Sequence, residues 1–103
     1  MKNFEIINFK KQVIAFVVRE KYKTSKTTFF SKEKNSLQFG HIVKKRGNVI
    51  PRHKHKKVKR IIFGTPEILI VKKGQTNLKL FKSGRLVRSL LLKKNDIVSL
   101  IDC

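Results

Sequence analysis

Apolar residues in this chain fall into short runs or alternate with polar ones, and turn residues separate the runs. That is the periodicity of strands, and it predicts an all-β domain. Strands are predicted over residues 4–7, 12–19, 36–43, 49–56, 67–72, 77–81, 86–92 and 97–101. The β-branched and aromatic content of residues 12–19 argues against a helix there. Alternation is cleanest at residues 77–81, where Leu78 and Leu80 share one face and Lys79 and Phe81 the other. Turns are predicted at residues 45–48, 73–75, 82–85 and 93–96. Residues 21–35 are rich in Lys, Ser and Thr and predict a loop, with Phe29 and Phe30 pinning it to the core.

Short strands at close spacing with glycine turns predict a sandwich or barrel. A length of 103 residues supports one domain, with no internal repeat, and eight Phe supply core volume. No apolar run approaches the ~20 residues of a membrane span. The run Val13 to Val18 lacks a small-residue cleavage site and meets Arg19 and Glu20 at once, unlike a signal peptide. The single Cys103 excludes an intramolecular disulfide. These features predict a cytoplasmic protein with no membrane partner.

The net charge of +20 changes the picture, because such a chain attracts polyanions. Lysines are spread from Lys2 to Lys94, as a default surface residue would be. Only residues 44–60 concentrate charge, in Lys44, Lys45, Arg46, Arg52, Lys54, Lys56, Lys57, Lys59 and Arg60. Two readings follow, a solvated basic surface or a β-barrel that binds nucleic acid or another polyanion. The aromatics are almost all Phe and do not interleave with the basic run as a stacking platform would.

The candidate chemistry lies in the same region. His53 and His55 stand at i and i+2, so on a strand over residues 49–56 both imidazoles share a face, while Arg52, Lys54 and Lys56 take the other. Pro51 lacks a donor and makes that end an edge or an irregular entry. Two imidazoles and the carboxylate of Glu67 downstream suit a divalent transition metal. The competing reading is an exposed basic strand, whose cations would repel such an ion.

With Gly47 ahead of the pair and Gly74 behind Glu67, this pattern resembles the first motif of the cupins. The segment 94–98 is similar to the opening of the second cupin motif, and residues 58–69 resemble a group of uncharacterised bacterial cupin-like proteins. The resemblance covers residues 36–103, behind N-terminal strands and a loop in residues 1–35. It implies a jelly-roll barrel, a metal (Zn, Fe, Mn or Ni) on His53, His55 and Glu67, a small sugar- or carboxylate-type ligand, and a homodimer.

Two departures stand against it. Eleven residues separate His55 from Glu67 where the motif has three or four. The chain also reaches Cys103 before the second motif's histidine, so the barrel is expected to be incomplete at its C-terminal end, and a truncated, inactive cupin is a third reading. His41 is expected to be a surface or packed residue, Arg60 part of a solvated loop, and Asp96 a turn residue. Cys103 lacks a neighbour that would activate its thiol.

Overall fold

A computed structural model describes residues 2–103. The strands are β1 (Phe4–Phe9), β2 (Gln12–Val18), β3 (Thr28–Phe29), β4 (Gly40–His41), β5 (Glu67–Ile70), β6 (Gln75–Lys82), β7 (Arg85–Lys93) and β8 (Ile97–Leu100). None of the described residues is helical, so the all-β expectation holds. The strands form a four-stranded sheet in the order β1-β2-β8-β5 and two ribbons, β3-β4 and β6-β7, all antiparallel. Among the described residues no sheet closes into a barrel. The chain divides into two compact units, residues 1–22 with 64–103 and residues 23–63.

The first unit holds the four-stranded sheet and the β6-β7 hairpin. Its core is Ile7, Ile14, Ala15, Val17, Leu80, Leu90, Leu92 and Val98, so the hairpin packs Leu80, Leu90 and Leu92 onto β1, β2 and β8. Strict alternation would send Ile14 and Ala15 to opposite faces. The ladder instead shifts register at Ile7/Asn8, pairing Ala15 with Ile7 and Val13 with Asn8. Ile14 is the extra residue of this bulge, and it joins Ala15 and Val17 in the core. Its carbonyl accepts the N–H of Ile101 at 2.8 Å, extending the β2-β8 contact past the ladder. On the other face Phe4 stacks on Phe16 with ring centroids 6.3 Å apart, and Tyr22 tilts against Phe4 at 5.7 Å.

Ion pairs tie the hairpin to the sheet. Arg88 of β7 bonds Glu5 of β1, and Lys82 of β6 meets Asp102 at 2.8 Å. The third pair joins Arg19 to Asp96 at 2.9 Å. Asp96 is 5% exposed and its oxygens accept from the N–H groups of Glu20 at 3.0 Å and Lys93 at 2.8 Å. Burial pushes this carboxyl up, but those two amides and the Arg19 guanidinium outweigh it and hold the pKa below the ordinary value. The expected turn aspartate is therefore also a junction between the end of β2 and the β7-β8 turn.

The second unit is built differently. Its ribbon β3-β4 pairs only Thr28 with His41 and Phe29 with Gly40. A Cβ on Gly40 would lie 2.6 Å from the Phe29 ring, so the ring lies over the glycine and leaves no space for a side chain. Phe30 and Phe39 tilt against each other at 5.6 Å. The strand expected over residues 36–43 shrinks to Gly40–His41, and side chains take up backbone partners around it. Ser31 Oγ accepts the Phe39 N–H at 2.7 Å, Asn35 Oδ1 accepts the Lys32 N–H at 2.7 Å, and Gln38 Nε2 donates to the Lys32 carbonyl at 3.1 Å.

The strand expected over residues 49–56 does not form. Pro51 removes one ladder donor, and a strand with a cation at most alternate positions would set like charges against any basic neighbour.

Candidate functional site

From Lys44 to Thr65 every residue is exposed and none is in a strand. The segment starts from a turn at Arg46-Gly47, closed by the Asn48 N–H on the Lys45 carbonyl at 3.0 Å, with Gly47 at φ +88°. Only glycine enters that region without cost. Beyond the turn the chain carries Arg52, Lys54, Lys56, Lys57, Lys59 and Arg60 with no carboxylate among them. Arg60 Nη1 reaches the Lys34 carbonyl at 3.4 Å, which anchors the far end of the basic run to residues 31–39.

His53 and His55 meet within this segment, ring centroids 5.1 Å apart and planes at 76°. An extended backbone brings i and i+2 to the same side without a sheet. His53 Nδ1 lies 3.0 Å from the Pro51 carbonyl. A carbonyl only accepts, so Nδ1 carries a proton in this contact, the tautomer in which a neutral ring offers Nε2 to a metal. His55 lines a surface pocket with Lys54, Lys56 and Lys57. Glu67 opens β5 in the first unit, while the histidine pair belongs to the second. Among the described residues no group of three His, Cys, Asp or Glu side chains gathers as a metal centre would require. The structure thus brings two of the three expected ligands, His53 and His55, side by side and does not gather Glu67 with them into a group of three.

The remaining candidates have structural work. His41 Nδ1 lies 3.3 Å from Thr24 Oγ1, whose own proton goes to the Lys26 carbonyl at 2.7 Å. Local burial of the Cys103 thiol, with the Asp102 carboxylate beside it, pushes that pKa up, the opposite of a nucleophile's need. Sequence reasoning did not anticipate that the apolar side chains of the same segment are bare: Phe63 is 90% exposed and Val49 84%. It also missed the partners of Asp96, because Arg19 lies 77 residues away and no local pattern links the two.

No protein-family model matches the chain. Comparison with curated proteins and with solved structures returns no match either. No described helix is long and apolar enough to cross a membrane.

Proposed function

We propose that this protein binds nucleic acid through the phosphodiester backbone, using residues 44–60, without reading sequence. The observation that carries this is the continuous exposure of nine cations in a segment without a carboxylate. Chain geometry leaves all nine side chains open to solvent, so each phosphate neutralised releases a counterion. Phe63 is the lone Phe, Tyr or Trp between residues 44 and 65, so large rings do not interleave with the cations as a base-stacking platform would need. The test is binding of a labelled oligonucleotide across a salt series. The expected slope of log K against log salt is steep, on the order of −4 for about six contacts to a single strand and about −6 if all nine engage, and similar for unrelated sequences. Replacing the nine cations by Gln should remove most of that slope; an unchanged slope would sink the reading.

A second reading rests on the histidine pair. We propose that His53 and His55 take a divalent transition metal, within the jelly-roll domain and small-molecule chemistry that the cupin resemblance implies, where Glu67 is the third ligand. The Nδ1–H contact of His53 to Pro51 supports it, because it presets the tautomer with Nε2 open. Elemental analysis after reconstitution with Zn, Fe, Mn or Ni, beside His53→Ala/His55→Ala and Glu67→Ala, decides it. About one equivalent, lost in each variant, is expected. Retention of metal by the double histidine variant would rule out this site.

A further inference from the structure

Among the described residues no strand pairs with the outer edge of β1. The Arg19 N–H donates to the Asn3 carbonyl at 2.8 Å, so the backbone of residue 3 faces β2. In an antiparallel pair the direction of these groups alternates along the strand. Glu5, Ile7 and Phe9 therefore face β2 as well, in register with Val17, Ala15 and Gln12. Ile6 and Asn8 turn outward. β1 is the first strand of the order β1-β2-β8-β5, so no strand lies on that side. By that alternation the N–H and C=O groups of these two residues point away from β2, toward the edge where no strand is paired among the described residues.

A groove of about 640 Å³ runs along this edge, lined by Lys2, Phe4, Glu5, Ile6 and Arg88. Its lining mixes charged residues with Phe4 and Ile6, and the Ile6 side chain is 48% exposed. The one carboxylate, Glu5, is already bonded to Arg88. The groove thus presents Lys2 with no opposing charge, and Lys10 and Lys11 follow at the far end of the strand. At the opposite edge of the sheet β5 has only four residues and is shielded by its shortness.

Charge decides what pairs here. A second copy would bring its own +20 and the same edge. Antiparallel β1-β1 pairing centred on Ile6 would bring Lys2, just ahead of the strand, toward Lys10 of the turn that follows it, twice over, and these like charges repel. We propose that the outer edge of β1 is a strand-addition site for an extended, acidic segment of a partner protein. Main-chain hydrogen bonds to Ile6 and Asn8 supply the pairing. Acidic side chains at the two ends of that segment reach Lys2 and Lys10, which flank the strand, and an apolar side chain covers Ile6.

The probe is a nine-residue peptide of alternating glutamate and valine, beside the same sequence N-methylated along its backbone, which keeps the charges and removes the donors. Amide exchange of the intact protein is read residue by residue with each peptide. The unmodified peptide is expected to slow exchange at Ile6 and Asn8 at least tenfold, and the methylated peptide to leave both unchanged. Any of four results overturns the proposal: no protection by the unmodified peptide, equal protection by both, protection confined to residues 44–60, or protection at Ile6 and Asn8 that grows with protein concentration alone. The last would mean that a second copy is the occupant.

Discussion

The two units of this chain hold the same number of basic residues, thirteen each, and use them in opposite ways. Residues 1–22 and 64–103 contain five of the six carboxylates, and three of these make the ion pairs that fasten the β6-β7 hairpin and the β7-β8 turn. Residues 23–63 contain one carboxylate, Glu33, for a net charge of +12. In the first unit a cation is mostly a clamp or a surface residue over a packed core. In the second it is unneutralised charge on a backbone held by turns and side-chain hydrogen bonds. The contrast assigns stability to one unit and electrostatic attraction to the other, and substitutions can be chosen to separate the two.

The largest effect is expected from neutralising the second unit's run. Gln at the nine basic positions of residues 44–60 should weaken oligonucleotide binding by about a thousandfold or more at low salt, fading as salt rises. The urea unfolding midpoint should stay within error, since none of these side chains is buried. Loss of the folded state instead would show that the run is structural and would break the contrast.

Next in size is Asp96→Ala in the first unit. It strands the Arg19 guanidinium and two backbone donors, from Glu20 and Lys93, in a part-buried site. A loss of about 3 kcal/mol or more is expected from denaturant unfolding, with oligonucleotide binding by the folded fraction unchanged. The same carboxylate sets a pH dependence. Its folded pKa is lowered, so its contribution is complete above the unfolded value of about 4 and is lost as pH falls through the lower folded value. The stability of the wild type should therefore drop more steeply below about pH 4 than that of Asp96→Asn.

A paired comparison of apolar residues comes third. Leu92→Ala, in the hairpin core at 2% exposure, should cost about 2–4 kcal/mol. Phe63→Ala, in the exposed segment, should cost about 0.5 kcal/mol or less by the same measurement. Equal costs would mean that the segment packs in solution.

How far the fold could be read ahead follows the same division. In the first unit the strands through Phe4, Gln12, Glu67, Asn77, Leu86 and Ile97 were legible, because burial of one face writes a period of two into the residues. The glycine turns at Gly74 and Gly84 were legible for a similar local reason, as was the cluster of cations between residues 44 and 60. Residues 36–43 and 49–56 misled. Their apolar and β-branched content suits a strand, but nothing in a single chain's pattern shows whether a partner strand exists. Side chains such as Ser31, Asn35 and Gln38 had already claimed the hydrogen bonds. The nearness of His53 and His55 was readable from i, i+2 spacing alone. The Arg19–Asp96 junction, the bulge that buries Ile14 and the outer edge of β1 were not, since each depends on which strands become neighbours.

The smallest expected effect sharpens the contrast within the first unit itself. Both of its hairpins close with two residues at positive φ, Lys10 and Lys11 at 47° and 66°, and Ser83 and Gly84 at 52° and 74°. Such a turn matches the right-handed twist of the strands and favours Asn-Gly. Ser83-Gly84 approaches that preference. Lys10-Lys11 places two Cβ atoms in the left-handed region, at a cost of roughly 1 kcal/mol each that glycine avoids. Lys10→Asn/Lys11→Gly should therefore stabilise the protein by about 1 kcal/mol after the extra unfolded-state freedom of glycine is subtracted. The gain would be read as a rise in the denaturant midpoint at constant slope. It should survive high salt, because its origin is backbone conformation rather than relief of charge. A gain that vanishes at high salt would instead assign the effect to repulsion between the two lysines, and would place this turn with the electrostatics of the second unit.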